Sequence, residues 1–164
     1  MSPTEISYEE LKQQVQQRLN KSHYGVLATA EGDFVTARQM MFICNGLTIT
    51  FITTNTSRKY KQIEVNPNVA VSIGNMQIEG VASISGRTSD NENAWFLKTF
   101  EEIEPKIYET HRDMCLDPET VWRLIEIAPK RIAIFDPDAY LDVLNVDEKM
   151  ATRYLGTELV APNY

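Results

Sequence analysis

The chain has 164 residues, 43% of them hydrophobic and 24% charged, which is typical of one folded domain and excludes disordered and fibrous proteins. Its net charge of -7 argues against nucleic acid and anionic membrane as general partners. The acidity belongs to the second half: residues 1–88 carry eight Lys and Arg against seven Asp and Glu, whereas residues 89–164 carry eight against sixteen. A local anion site in the first half therefore remains compatible with the net charge.

The sequence offers no sign of a membrane span, a secretory signal or a metal site. No apolar stretch is long enough for a transmembrane helix, and the polar start predicts a cytoplasmic protein. Cys44 and Cys115 lie far apart, and His23 and His111 are isolated. These spacings match neither a zinc site nor a Cys-His or Ser-His-Asp catalytic set.

The first predicted element is a helix over residues 7–22. Ser7 is placed to cap its start, and Glu10, three positions later, completes a capping box. The apolar positions recur every four residues, which gives the helix one side that can pack against a core. These positions are Leu11, Val15 and Leu19.

Short strand-like runs follow, separated by glycines and tight turns. They cover residues 24–30, 34–44, 47–54, 68–73 and 76–87. Asn45-Gly46 is a strong signal for a two-residue hairpin turn, and Gly80 inside the last run predicts a bulge or a close approach of backbone or ligand. Many short strands in about sixty-five residues predict an antiparallel barrel or sandwich.

The second half is predicted to be mainly helical. One helix spans 90–112 with a break at Pro105, and another spans 117–129 with Asp117 as its cap and Pro118 at its first position. We expect one domain over 1–164, with a barrel core at 22–88, helices at 89–129, a closing strand at 130–144 and a tail at 145–164 without a clear pattern.

A two-residue turn at Asn45-Gly46 would fix the hairpin register, so that Met40 faces Phe51 and Arg38 faces Thr53. Because side chains alternate along a strand, the even positions of the first strand and the odd positions of the second share one face. The members of that face are Arg38, Met40, Phe42, Ile49, Phe51 and Thr53.

This arrangement raises the question of what Arg38 meets. A phosphate group needs positive charge and several converging donors, and the segment that follows Thr53 contains Ser57, Arg58 and Lys59 at the start of a predicted helix. The alternative interpretation is an ordinary polar loop that caps a helix, with solvated cations and with Arg38 paired to a carboxylate. The residues alone leave both interpretations open.

The run from GVLATA through ARQMMFICNGLTITFITTNTSRKYKQIEVNPNVAVSI to IEGVASISG resembles the pyridoxamine 5'-phosphate oxidase-like, FMN-binding split-barrel superfamily. Within it, the chain is most similar to the general stress protein 26 branch. The resemblance is close over 22–88 and looser over 89–136. It implies a mainly β fold with flanking helices, a six-stranded antiparallel split β-barrel, and a homodimer with FMN between the subunits.

The resemblance also implies a set of FMN-binding residues. The phosphate would be held by Arg38, Arg58 and Lys59 with the hydroxyls of Thr53 and Ser57. Gln39 and Met40, on the strand that passes the ring, would place backbone against the isoalloxazine edge, and residues Phe51, Ile52 and Thr53 would line the ribityl chain. Asn75 or Gln77 of the partner subunit would supply an amide. Trp95 and Trp122 could reach the ring or serve the core and the dimer contact.

The implied function is that of an FMN-dependent oxidoreductase with a small-molecule substrate or an electron donor such as NAD(P)H. No catalytic residue is identified. Ile43 stands in the region where the oxidase proper has a substrate-binding lysine, and the oxidase's C-terminal arginine and histidine signature is missing. Oxidation of pyridoxamine phosphate is therefore not expected. The alternatives are a non-catalytic flavin-binding or sensing homodimer, a barrel that binds haem or a deazaflavin, and a barrel without a cofactor.

Overall fold

The computed structural model describes residues 3–136 and 140–156, in which ten strands, four α-helices and one short 3-10 turn (Asn91–Asn93) are found. The strands are β1 (Thr4–Ile6), β2 (Tyr24–Glu31), β3 (Phe34–Met41), β4 (Ile43–Asn45), β5 (Thr48–Thr54), β6 (Asn68–Ile73), β7 (Met76–Arg87), β8 (Trp122–Asp136), β9 (Tyr140–Asn145) and β10 (Met150–Leu155). The helices are α1 (Tyr8–Lys21), α2 (Arg58–Val65), α3 (Ala94–Ile103) and α4 (Pro105–Leu116).

Antiparallel pairing closes part of the sheet into a ring. β3 pairs with β2, β2 with β6, β6 with β7, β7 with β8, and β8 with β5. β4 continues β3 beyond Phe42 and pairs with β5, which completes the circuit. If β3 and β4 count as one interrupted strand, the ring has six strands. The predicted mainly β class and split-barrel architecture are confirmed, and β9, β10 and β1 extend the sheet past the ring.

Two apolar clusters stabilise the architecture. The interior of the ring is filled by fully or nearly fully buried side chains that include Leu27, Phe42, Ile49, Phe51, Val71, Ile78 and Ile127, and α1 adds Leu11, Val15 and Leu19. The rings of Phe42 and Phe51 meet edge to face at 6.0 Å. A second cluster joins Ile43 and Leu124 to Phe96 and Phe100, so α3 covers the β4 and β8 side of the barrel.

The predicted hairpin register is wrong. Asn45 pairs with Thr48, so the turn is Gly46-Leu47, with Gly46 in the left-handed region at φ +61°. The first strand of the predicted hairpin also breaks at Phe42, between β3 and β4, and the amide of Phe42 donates to the carbonyl of His23 at 2.7 Å. Arg38 consequently pairs with Leu27 of β2 rather than with Thr53. The register moved by two positions, which preserves the face, and Met40, Phe42, Ile49 and Phe51 still point to the interior cluster as expected.

The helix predicted over 117–129 is wrong as well, so the helical region ends at Leu116 rather than at residue 129. Asp117 lies after α4, and its carboxylate accepts a hydrogen bond from the amide of Glu119 at 2.8 Å. Residues from Trp122 onward form β8. The first part of β8 lies between β5 and β7 and is covered on both faces, so its apolar residues do not alternate as in a half-exposed strand. The residues concerned are Leu124, Ile125 and Ile127, all fully buried.

Other details of the prediction can be compared with the structure. The Ser7 cap, the break at Pro105 and the irregularity at Gly80 are confirmed, and a Cβ atom at Gly80 would lie 2.8 Å from the carbonyl oxygen of Ala128. The closing strand predicted at 130–144 is instead the second part of β8 followed by β9, with 137–139 outside the described residues. The tail contributes β10, and its last residues, 157–164, also lie outside the described part. Among the described helices, none has the length and apolar character needed to cross a membrane.

Candidate functional site

Three basic side chains come together at the end of the ring that α2 covers, and we call Arg38, Arg58 and Lys59 the cationic cluster. Burial lowers the pKa of Arg38, and the charge of Arg58 lowers it further. Burial likewise lowers the pKa of Lys59, with a second contribution from the charge of Arg38. Within the described residues, no carboxylate forms an ion pair with any of the three. The cluster is thus an uncompensated concentration of positive charge.

The start of α2 adds neutral donors beside the cluster. Ser57 caps the helix, accepting from the amide of Tyr60 at 3.3 Å, and its Oγ lies 2.8 Å from Oγ1 of the buried Thr53. The amides of Arg58 and Lys59, the first two of the helix, have no acceptor in the described part of the chain. Free amides and the positive end of the helix dipole favour an anion at this position.

Among the described residues, Arg38 is held in place by neutral oxygens only. Its Nη1 donates to the carbonyl of Leu27 at 3.1 Å and to Oγ1 of Thr29 at 2.7 Å. Its Nη2 donates to Oγ1 of Thr36 and lies 3.5 Å from Oε1 of Gln62. Gln62, fully buried on α2, is absent from the sequence-based set, because nothing in the local pattern marks a helical glutamine as a partner of a strand arginine.

Arg58 occupies the outer side of the cluster. Its side chain is exposed, and the guanidinium lies 5.7 Å from the ring centre of Phe34 at the tip of the β2–β3 hairpin. This cation–π contact orients the arginine without neutralising it. Arg58 therefore contributes a charge that is accessible from solvent, whereas Arg38 and Lys59 are half-buried.

An apolar recess of about 170 Å³ opens beside the polar groups. It is lined by Tyr24, Met40, Met41, Ile52, Phe100, Ile107, His111 and Trp122. Met40 lies two residues after Arg38, and Ile52 directly precedes Thr53, so β3 and β5 each carry residues of both the recess and the polar site. A hydrogen bond to Glu104 and burial raise the pKa of the Tyr24 hydroxyl, which donates to the carboxylate at 2.8 Å.

The remaining predicted residues are not brought to this place. The side chain of Phe51 is fully buried in the interior cluster and cannot line an open site. Gln39 is exposed on the outer face of β3, and it lies in one lateral row with Val26, Ser72 and Gln77. Three strand spacings therefore separate Gln39 from Gln77, which is about 14 Å.

Asn75 and Gln77 line a different cavity, of about 590 Å³, together with Phe135 and Arg131. The amide of Asn75 accepts from Arg18 at 3.0 Å and donates to the carbonyl of Phe135 at 2.7 Å. Within one chain, the predicted site residues thus fall into two separate groups, one at the cationic cluster and one at this second cavity.

The donors at the cluster match what a phosphate-bearing cofactor needs. A phosphate monoester accepts several hydrogen bonds and carries negative charge, and Lys59, Arg58, the Ser57 hydroxyl and two free amides can supply both requirements. The adjoining recess is apolar on most of its wall, as a flavin ring requires. The described residues of one chain thus fit the phosphate end of FMN, and the recess supplies part of an apolar wall for its ring.

Comparisons with known proteins agree with the fold. The family model for pyridoxamine 5'-phosphate oxidase matches residues 11–133. General stress protein 26 of Bacillus subtilis (strain 168) is 28% identical over 139 residues, covering 80% of this chain and 92% of that protein. The crystal structure of general stress protein 26 from Bacillus anthracis str. Sterne has 27% identity and a TM-score of 0.61, covering 84% of this chain and 99% of the other.

More distant structures share the fold alone. An FMN-binding protein from Nostoc punctiforme PCC 73102 has 14% identity and a TM-score of 0.59, covering 90% and 93% of the two chains. The fold also occurs in a haem storage protein from Vibrio cholerae and in an F420 reductase, at 15% and 22% identity. The fold is thus shared by proteins whose names refer to FMN, haem and F420. From the extent of the family match, the chain belongs to the pyridoxamine 5'-phosphate oxidase family.

Proposed function

We propose that the protein binds FMN by its phosphate and acts as a flavin-dependent oxidoreductase. The observation that carries the proposal is the cationic cluster, in which Arg38 lies near the two basic residues that begin α2, whose amides lack an acceptor, and no carboxylate among the described residues pairs with the three cations. The lowered pKa values of Arg38 and Lys59 mean that their charged forms are disfavoured in the ligand-free fold. A bound phosphate would reverse that effect.

The apolar recess supports the flavin part of the proposal. Met40, Ile52 and Trp122 would cover one part of the ring and exclude water from it, while Ser57 and Thr53 hold the polar end of the molecule. Bound FMN would supply the hydride or electron transfer itself. The substrate or electron donor would be a small molecule such as NAD(P)H, and we propose a cytoplasmic location, with neither nucleic acid nor membrane as a partner.

The second group of predicted residues supports a homodimer. Asn75 and Gln77 face their own cavity, and Gln77 is three strands away from Gln39. They would reach a flavin only if it were held by the cationic cluster of a second copy. We therefore propose that FMN lies between two subunits.

The substrate is proposed to differ from pyridoxamine phosphate. Ile43, in the region where the oxidase proper has a lysine, is 2% exposed and packs in the second cluster with Phe96 and Leu124. A position inside an apolar cluster is unsuited to a charged substrate-binding group.

The test is the absorption spectrum of the purified protein before and after incubation with FMN and desalting. Wild type should retain the flavin bands, whereas Lys59→Met should lose them, with an affinity at least about tenfold lower because a charged hydrogen-bond donor is removed. Lys61→Met is the matched control, because Lys61 lies on the same helix but pairs with Glu64 at 3.1 Å.

The outcomes separate the alternatives. No retained flavin, or equal retention by Lys59→Met and wild type, would contradict the proposal. A haem band in the protein as isolated would redirect it to another cofactor. If flavin is retained, reduction by NADH or NADPH and reoxidation faster than those of free FMN would indicate an enzyme, and rates equal to those of free FMN would indicate a binding or sensing protein.

A further inference from the structure

Gln62 occupies the centre of a buried polar network that connects α2 to two strands. Its Oε1 lies 2.6 Å from Oγ1 of Thr29 and 2.8 Å from Oγ1 of Thr36. The two threonines are directly opposite each other on β2 and β3, and both hydroxyls also contact the guanidinium of Arg38. The network therefore holds Arg38 on both sides.

The direction of each hydrogen bond follows from chemistry. A guanidinium can only donate, so the hydroxyls of Thr29 and Thr36 accept from Arg38. Each hydroxyl is left with one proton, and the nearest acceptor is Oε1 of Gln62. The side-chain amide must then present its oxygen to the strands, because its NH₂ group would place donors against donors.

This orientation leaves the NH₂ group of the Gln62 amide without a hydrogen-bond acceptor among the described residues. Its nitrogen, Nε2, is buried. A buried N–H group without an acceptor destabilises a fold. A glutamate would keep the acceptor oxygen and remove the unpaired donor, yet the chain has a glutamine. Local rules broken in this way are typical of functional sites.

The difference between the two residues is charge. A glutamate at position 62 would form an ion pair with Arg38 and cancel its charge, since only 3.5 Å separates Oε1 from Nη2. A neutral amide orients the same guanidinium and leaves the charge available to an external anion. Gln62 also lies on the helix that carries Arg58 and Lys59, so one side chain fixes the strand cation relative to the helix cations.

We propose that Gln62 is a positioning residue for the anion bound by the cationic cluster, acting as a neutral anchor that orients Arg38 without neutralising it. The inference rests on the proposed function, in that the anion is the phosphate of FMN. It assigns to Gln62 a role in ligand selectivity rather than in stability.

The test compares Gln62→Glu and Gln62→Met with wild type, using FMN and riboflavin as probes. Riboflavin lacks only the phosphate, and binding of each is followed by quenching of flavin fluorescence. Gln62→Glu should bind FMN about ten- to a hundredfold more weakly, the range expected for a lost charged hydrogen bond, with riboflavin affinity within about twofold of wild type. Its melting temperature without ligand should equal or exceed that of wild type.

Gln62→Met removes the anchor without adding a charge. It should also weaken FMN selectively, by a smaller factor, and it serves if Gln62→Glu does not fold. A purely structural role predicts equal losses for FMN and riboflavin, or a wild-type ratio of the two affinities in Gln62→Glu. Either result would overturn the inference.

Failure of the proposed function gives a different result. If wild type binds neither flavin, the probe becomes inorganic phosphate, added against chloride at equal ionic strength. A rise in melting temperature in wild type that is absent in Gln62→Glu would support the anchor role with another phosphate ligand. No rise in wild type would reject both proposals.

Discussion

The cationic cluster and the C-terminal hairpin differ in the partners of their basic side chains, which are neutral oxygens for Arg38 in the cluster and a carboxylate for Arg153 in the hairpin. In the hairpin formed by β9 and β10, Arg153 forms two hydrogen bonds of 2.7 Å with the carboxylate of Asp142. Lys130, at the same end of the sheet, lies 2.9 Å from a carboxylate oxygen of Asp147. In the cluster, the hydrogen bonds of Arg38 to other described residues go only to neutral oxygens.

The pKa values express the same contrast. The hydrogen bonds that Arg153 donates to Asp142 raise the pKa of Arg153, whereas burial and the charge of Arg58 lower the pKa of Arg38. The charge of Arg153 is used inside the protein, to hold a buried carboxylate. Within the described residues the charge of Arg38 meets no carboxylate, so it remains available to an external anion.

The largest effect is expected in the hairpin. Arg153→Met leaves Asp142, whose side chain is 3% exposed, without its partner. A buried charge left unpaired lowers the free energy of unfolding by about 3–5 kcal/mol. Urea denaturation measures the loss. Lys130→Met breaks an exposed pair and should lower the free energy of unfolding by less than about 1 kcal/mol. Equal small losses in both variants would contradict the contrast.

An added anion should stabilise the cluster and not the hairpin. If phosphate binds with a Kd of about 1 mM, a 10 mM concentration stabilises the fold by about 1.4 kcal/mol, which raises the Tm by about 3–5 °C for a chain of this size. The comparison is with chloride at equal ionic strength, followed by thermal unfolding. The same rise in Lys59→Met would show that phosphate acts elsewhere.

Removing a cation from the cluster should change the free energy of unfolding in the opposite direction to removing Arg153 from the hairpin. Lys59→Met takes away a half-buried charge that lacks a counterion, so the free energy of unfolding without ligand should stay the same or rise, by up to about 1 kcal/mol. Chemical denaturation in chloride buffer measures it. A loss of stability comparable to that of Arg153→Met would mean that Lys59 has a structural partner.

The last prediction concerns Cys44 and asks whether the cationic cluster or burial determines the pKa of its thiol. A nearby cation would lower the pKa of a thiol, but burial raises that of Cys44 to about 12. At pH 8 its thiolate fraction is then about 10⁻⁴, so an aromatic disulfide reagent should label the native protein very slowly. Labelling should accelerate about tenfold per pH unit below the pKa of about 12.

The control is the protein in guanidinium, in which both cysteines are accessible. Rapid labelling of the native protein at pH 8 would contradict burial as the dominant cause of the raised pKa of Cys44.

Local signals in the sequence were sufficient for much of the fold. The N-cap at Ser7 and the bulge at Gly80 depend on neighbouring residues, and both are confirmed. The hairpin register failed because the turn uses Gly46-Leu47 and because the strand breaks at Phe42, which is set by packing inside the ring. The helix predicted at 117–129 failed because cover on both faces removes the alternation that identifies a strand.

In the candidate site, too, the residues that are close in sequence could be predicted together, and those brought together by folding could not. Ser57, Arg58 and Lys59 are adjacent in sequence, so their pattern and the helix start could be recognised together. Arg38 reaches them through α2 and β2 rather than through the predicted hairpin contact. Of the recess residues, Met40, Ile52 and Trp122 are among those expected near a flavin. Gln62 and the recess residues Tyr24, Phe100 and His111 could not be predicted, since they come from distant segments that only the folded chain brings together.

The long strand β8 has a consequence for the rate of folding. It pairs with β5 in its first part, with β9 in its second part and with β7 along most of its length, and Pro129 lies opposite Gly80 where the register shifts. The ring therefore cannot close until residues near 125 have met strands formed some seventy residues earlier. Contacts of such long sequence separation are associated with folding times of milliseconds to seconds rather than microseconds. A nascent chain that has emerged only as far as α4 would carry every member of the cationic cluster but no closed barrel to hold them.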